Sequence, residues 1–180
     1  MAGALVALVT LTIAPDGWAQ AALQRATGYV VAVADGDPFF MEIDGKRTRV
    51  RIAQIDAPEA GQAFGRSSEP SLRELIWKRT VTVSWCDVDR YGRPIVAVDH
   101  AGADVGAEQV RRGMAWAYRQ YSKDRSRYAL DSEARAARRG LWADSQPAPP
   151  WEWRIMATGQ APMLRLIKDI IIHRTYTPLR

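Results

Sequence analysis

Residues 35–59 read DGDPFFMEIDGKRTRVRIAQIDAPE. Two turn signals punctuate this stretch. Asp35-Gly36-Asp37 is one, and Asp44-Gly45, a strong two-residue hairpin turn, is the other. The runs around them have strand character. Residues 27–34 are rich in Val and carry Tyr29, and residues 39–43 form a short apolar run. Residues 46–55 alternate, with Arg47, Arg49 and Arg51 on one face and Thr48, Val50 and Ile52 on the other. Ala57-Pro58 ends that run, because the residue before Pro is pushed extended and Pro cannot donate to a ladder.

Working outward, residues 61–68 read as a small-residue loop and residues 71–78 as a helix with Leu72, Leu75 and Ile76 on one face. Val81, Val83 and Trp85 alternate within a strand-like run at 80–88, where Cys86 reads as a small core residue. A turn at 89–92 leads to a further strand candidate at 94–98. Residues 104–112 predict a helix stopped by Gly113, and aromatic residues 114–118 an extended segment. Residues 126–139 predict an Ala- and Arg-rich helix with Gly140 as its stop. Five strands with a helix after the third predict an α+β, mainly β fold: a five-stranded OB-type barrel with about three helices.

The ends of the chain read differently. Residues 2–14 are apolar, and Ala19-Gln20-Ala21 offers an A-x-A cleavage pattern. Residues 1–21 thus predict a signal peptide and a secreted or periplasmic product; the alternative is a disordered apolar N-terminus. No Lys or Arg precedes the apolar run, which is atypical. The core domain is expected over 22–146, followed by a Pro-rich break and tail at 147–180. In the tail, Met163, Leu166, Ile167, Ile170 and Ile171 fit a helical stripe with basic neighbours. Such a helix either lies on a membrane surface or packs on its own domain.

Composition narrows the chemistry. The 180-residue chain carries a formal charge of +5, with a pI near 9.7. Basic excess favours a polyanionic partner, though solubility alone also accounts for it. One cysteine excludes an intramolecular disulfide and a zinc cage built on several thiolates. The two histidines, His100 and His173, support neither a triad nor a His-ligated metal. Carboxylate and arginine chemistry is what remains.

Asp37 follows the first strand-like run, and Asp56 and Glu59 close the third. Acids at the ends of neighbouring strands can converge on one hard cation, while a third acid handles a water proton. Arg51 lies on the strand leading to Asp56, and Arg93 follows in the run DRYGR. That set suits phosphodiester cleavage. Each residue also has a plainer reading: Asp37 as a turn former, Asp56 as a cap of the chain reversal, Glu59 as a solvated loop acid, Arg93 as an exposed turn residue.

DGDP at 35–38, RIAQIDAPE at 51–59 and DRYGR at 89–93, with RRGMAWAY at 111–118 and GLW at 140–142, resemble the staphylococcal nuclease family in order and spacing. The resemblance covers residues 27–142. It implies the OB fold and a calcium-dependent nuclease acting on DNA and RNA, leaving 3′-phosphate ends. It implies that Asp37 and Asp56 ligate Ca2+ together with the main-chain carbonyl of Ala57. Glu59 would orient or deprotonate the attacking water, and Arg51 and Arg93 would hold the phosphate. A tyrosine among residues 118–121 would stack on the nucleotide. No obligate protein partner is implied, and a monomer is expected. Two positions depart from the family pattern: Pro38 and Ala57 stand where hydroxyl residues are usual. The alternative is a non-catalytic OB module that binds nucleic acid or protein.

Overall fold

Alternation in the N-terminal third becomes three antiparallel strands. In this computed structural model, which describes residues 22–118 and 125–157, β1 is Gln24–Val33, β2 Pro38–Ile43 and β3 Lys46–Ile52. The β2–β3 hairpin turns through Asp44 and Gly45, both left-handed (φ 50° and 73°), with Ile43 opposite Lys46. Left-handed backbone at both turn positions matches the twist of the flanking strands, which explains the Asp-Gly pair.

β4 is Ile55–Asp56, β5 Thr80–Trp85, β6 Ile95–His100, β7 Ala103–Asp104 and β8 Trp116–Ala117. The main sheet runs β3-β2-β1-β5-β6-β7, and β3 pairs with β6 in parallel, Arg51 opposite Ile95 and Ile52 opposite Val96. That pairing closes β1, β2, β3, β5 and β6 into a five-stranded ring, the expected architecture. β4 and β8 form a separate two-stranded ribbon.

Inward positions of the ring are filled by Val30, Phe39, Met41, Val50, Ile52, Val81, Val83 and Val96, all buried. Burying each such side chain contributes roughly 1.5–3 kcal/mol for the larger ones. Helix α1 (Gly65–Ile76) caps the ring with Leu72 and Ile76, and α2 (Val105–Arg111) adds Val105 and Val110. Asp104 caps α2 by accepting from the Ala107 N–H at 2.9 Å. Helix α3 (Arg125–Ala136), a 3-10 turn (Gly140–Ala143) and α4 (Pro150–Ala157) surround a second, smaller core of Trp116, Ala134, Leu141 and Trp142.

Several boundaries differ from the sequence expectation, for local reasons. Helix α1 begins at Gly65, not 71, and contains Pro70. Its small residues serve close packing: Ser68 donates to the Met114 carbonyl at 2.6 Å and Ser71 to Gln109 at 2.6 Å. Tertiary hydrogen bonds here override the loop-like composition. The run 46–55 is broken at Gln54, which is left-handed (φ 64°), so that Asp56 belongs to the ribbon rather than to β3. β5 ends at Trp85, and Cys86 is exposed rather than in the core. Val81 and Val83 point inward, so Cys86 falls on the outward parity. α3 ends at Ala136, with left-handed Arg138 (φ 51°) beyond it, and Gly140 opens the 3-10 turn instead of stopping the helix. Residues 1–21, the stripe at 163–171 and residues 119–121 lie outside the described residues. Among the described residues, no helix is long and apolar enough to cross a membrane.

Candidate active site

The DGD turn is pinned from two sides. The Asp37 carbonyl accepts from the Ile52 N–H at 3.0 Å, which ties the turn to the end of β3. The Gly36 carbonyl accepts from the side-chain amide of Gln109 at 3.1 Å. A Cβ on Gly36 would lie 1.9 Å from Ser68 Oγ and 2.5 Å from Ala57 Cβ, so only glycine passes between α1 and the end of β4. Pro38 opens β2 opposite Arg51, where a strand tolerates a missing donor; its carbonyl accepts from Ala34 at 3.1 Å. Pro38 therefore leaves the Asp37 carboxylate facing Arg51.

Arg51 joins the two aspartates. Its Nη2 donates to Asp56 Oδ1 at 2.7 Å and lies 2.9 Å from Asp37 Oδ2 as an ion pair. Asp37 and Asp56, nineteen positions apart, thus meet on one guanidinium group; they are 8 % and 1 % exposed. Asp37 Oδ2 is buried with no aligned hydrogen-bond donor. Ala57, next to Asp56, is buried as well.

A residue absent from the sequence reading completes the cluster. Arg154 of α4 grips Asp56 with both arms, Nη2 to Oδ2 at 2.6 Å and Nη1 to Oδ1 at 3.1 Å. The same Nη1 donates to Glu59 Oε1 at 2.7 Å. Glu59 is set in place by a turn in which its carbonyl accepts from the Gln62 N–H at 2.8 Å, while its own N–H donates to Gln62 Oε1 at 3.3 Å. Gln62 also donates to the Ala148 carbonyl, which ties this turn to the approach of α4.

Arg93 sits differently. Its Nε and Nη2 both lie 2.6 Å from Asp89 Oδ2, and its guanidinium lies 5.3 Å from the centre of the Tyr91 ring. The loop is nonetheless at the cluster's edge, because the carbonyl of the next residue, Pro94, accepts from the Arg51 N–H at 3.0 Å. The structure brings Asp37, Asp56, Glu59 and Arg51 together, while Arg93 is paired with Asp89.

Electrostatics follow the geometry. Burial pushes the Asp37 carboxyl up to about 7; Arg51 opposes this, and Asp56, Asp35 and Glu59 add to it. Burial alone would lower the guanidinium pKa of Arg51, but Asp37 and Asp56 more than offset it and raise the value. Arg154 behaves likewise, raised by Asp56 and Glu59 against its burial. Burial would raise Asp89, yet hydrogen bonds from Arg93 and Tyr91 lower it.

These residues fit a hard divalent cation. The donors are carboxylate oxygens and a neighbouring main chain, the donor class calcium takes. Asp37 Oδ2 has the Arg51 ion pair but no aligned hydrogen bond, and Asp56 carries two guanidinium groups, so the pocket is built around positive charge. Among the described residues no group of three or more His, Cys, Asp or Glu side chains could by itself hold a metal ion, so a cation here would also need main-chain oxygen and water.

Three residues escaped the sequence reading. Gln109 looked like one position in an ordinary helix, yet it is fully buried and holds the DGD turn. Gln62 lay in a stretch without pattern. Arg154 follows a Pro-rich break; its only signal was a Trp-x-Trp-Arg run after Pro150.

Several known proteins are similar to this chain. The chain is 39 % identical over 162 residues to a micrococcal nuclease of Shigella flexneri, spanning 84 % of this chain and 90 % of that protein. It is 38 % identical over 165 residues to Protein ParB of Escherichia coli, spanning 86 % and 90 %. It is 44 % identical over 130 residues to an uncharacterized endonuclease of Escherichia coli O157:H7, spanning 71 % and 84 %. The family described as Staphylococcal nuclease homologue matches residues 49–144, which hold Arg51, Asp56, Glu59 and Arg93. On the match of over half its length and on these relatives, the chain belongs to the staphylococcal nuclease homologue family.

Proposed function

We propose that the protein is a calcium-dependent nuclease that hydrolyses phosphodiester bonds in DNA and RNA with little sugar specificity. The observation that carries this reading is the meeting of buried Asp37 and Asp56 on Arg51, with Glu59 beside them. Asp37, Asp56 and the Ala57 carbonyl would hold the cation. When bound, Ca2+ supplies charge neutralisation at the phosphate and lets an anionic nucleophile approach.

The chain's own residues do the rest. Arg51 presents a planar, permanently charged fork to the phosphoryl oxygens. Arg93 leaves Asp89 for the phosphate, whose charge exceeds that of a single carboxylate once the five-coordinate transition state forms. Glu59 takes the proton of the attacking water. Charge on the equatorial oxygens grows as phosphorus becomes five-coordinate, so the arginine contacts strengthen in the transition state. Each is then worth several kcal/mol, about the size of a lost oxyanion-hole donor.

Release to the periplasm or medium belongs to the same proposal and is supported by the apolar run and A-x-A pattern of residues 1–21. The deciding experiment is a gel assay of purified protein on single-stranded DNA and on RNA, with calcium and then with chelator. Cleavage that needs calcium and disappears in a Glu59→Ala, Arg93→Ala double variant is expected. Undiminished cleavage by the double variant overturns the assignment, and tight calcium-independent binding without products favours a binding module.

A further inference from the structure

Arg154 lies outside the segment the family matches, on a helix that reaches back into the acidic cluster. The helix is docked by more than its arginine. Trp151 stacks on Tyr118 (centroids 5.3 Å apart, 28° between planes) and meets Trp116 edge-on at 5.5 Å. Pro150 is buried, and Gln62 holds the carbonyl of Ala148 just ahead. These contacts fix the helix so that the Arg154 side chain, 40 % exposed, lands on Asp56 and Glu59.

Every acceptor atom of the Asp56 carboxylate is thereby engaged. Oδ2 takes Arg154 at 2.6 Å, and Oδ1 takes Arg51 at 2.7 Å and Arg154 at 3.1 Å. Three donors fill three of the roughly four lone-pair sites of this carboxylate, and a divalent cation bound to Asp56 would sit directly against the Arg154 guanidinium. The guanidinium and the cation are both positive and compete for one carboxylate. The same Arg154 nitrogen also ties up Glu59, whose side chain is 38 % exposed.

We propose that helix α4 is a built-in latch on the active site: Arg154 occupies the carboxylates of Asp56 and Glu59 until a divalent cation displaces it. Cation loading and unmasking of Glu59 are then one event, so the acid that handles water is freed only when the site is charged. This rests on the cation site proposed above. The exposed side of Arg154 makes release feasible, since the freed guanidinium regains water.

The test is calcium titration of the full chain by calorimetry, in wild type and Arg154→Ala, with intrinsic tryptophan fluorescence followed in parallel. Losing a charge-assisted competitor should tighten calcium binding about tenfold in Arg154→Ala. In wild type, the emission of Trp151 and Trp153 should change with the same midpoint as calcium binding. An Arg154→Lys variant keeps the charge without the fork and should fall between the two; it carries the comparison if the alanine variant does not fold. Equal or weaker calcium binding in the variants overturns the latch while leaving the cation site standing. No calcium binding in any of the proteins overturns the cation site and the latch together.

Discussion

The side-chain amide of Gln109 donates to the Gly36 carbonyl at 3.1 Å, so a fully buried helix residue holds the turn that presents Asp37. The same amide nitrogen lies 3.3 Å from the Ser68 carbonyl, and its oxygen accepts from Ser71 at 2.6 Å. Gln109 is thus a satisfied hub joining α2, α1 and the DGD turn. Gln109→Leu keeps the volume but strands buried partners, each costing about 1–3 kcal/mol. Urea unfolding should show a loss of about 2 kcal/mol or more, and calcium affinity should fall with it. A loss under about 0.5 kcal/mol would show that the hub is dispensable.

Asp37 gives a pH dependence of definite sign. Its pKa rises on folding from 3.8 to about 7, chiefly through burial. Below 3.8 the folded and unfolded chains both hold the proton, and Asp37 contributes nothing. Between 3.8 and about 7 the unfolded chain releases the proton while the folded chain keeps it, so stability falls as pH rises. Above that window the penalty is complete. In chelator, Asp37→Asn should therefore gain melting temperature relative to wild type, with a gain that grows from about pH 5 to about pH 8. A gain independent of pH would contradict the buried-acid account.

Arg51 is the hinge of the charge cluster, and its loss should be felt most when no cation is present. Arg51→Ala leaves the buried Asp37 carboxylate without its guanidinium, while Asp56 keeps Arg154. Breaking a buried pair costs up to about 3–5 kcal/mol, which partial exposure of the Arg51 side chain reduces to about 2 kcal/mol. Thermal melts at neutral pH should show that loss in chelator and recovery of part of it in calcium. In calcium, nuclease turnover should drop about 100-fold.

Cys86 provides a check on the register of β5. Because it is exposed, a maleimide reagent should label it stoichiometrically in the native protein without denaturant. Protection until unfolding would mean that the register of β5 is shifted by one residue, with Cys86 turned inward.

Legibility in the sequence divides along physical lines. The hairpin at Asp44-Gly45 and the alternation through Val50 and Ile52 are local signals, and the fold places them as expected. The convergence of Asp37 and Asp56 needed a folded ring, yet the strand-end positions of both acids already pointed to it. Gly65–Ser71 misled because small and polar residues look like a loop when their partners, Met114 and Gln109, are far along the chain. Arg154 could not be foreseen, since its partners lie 98 and 95 positions away and nothing periodic marks it. The contact of Arg93 with Asp89 is local, four residues apart, and competes with the long-range meeting that spacing alone suggested.

The parallel β3–β6 pairing has a temporal meaning as well as a spatial one. Arg51 bonds the Pro94 carbonyl, Ala53 bonds that of Val96, and Ile52 holds Asp37, all within a few residues of the seam. These are contacts between segments far apart in sequence, the kind that form late. A sheet not yet zipped would carry the acids and arginines as scattered surface charges. The constellation is a by-product of closing the ring, so any hydrolytic capacity should return only with the final refolding phase and vanish at the first opening of the seam.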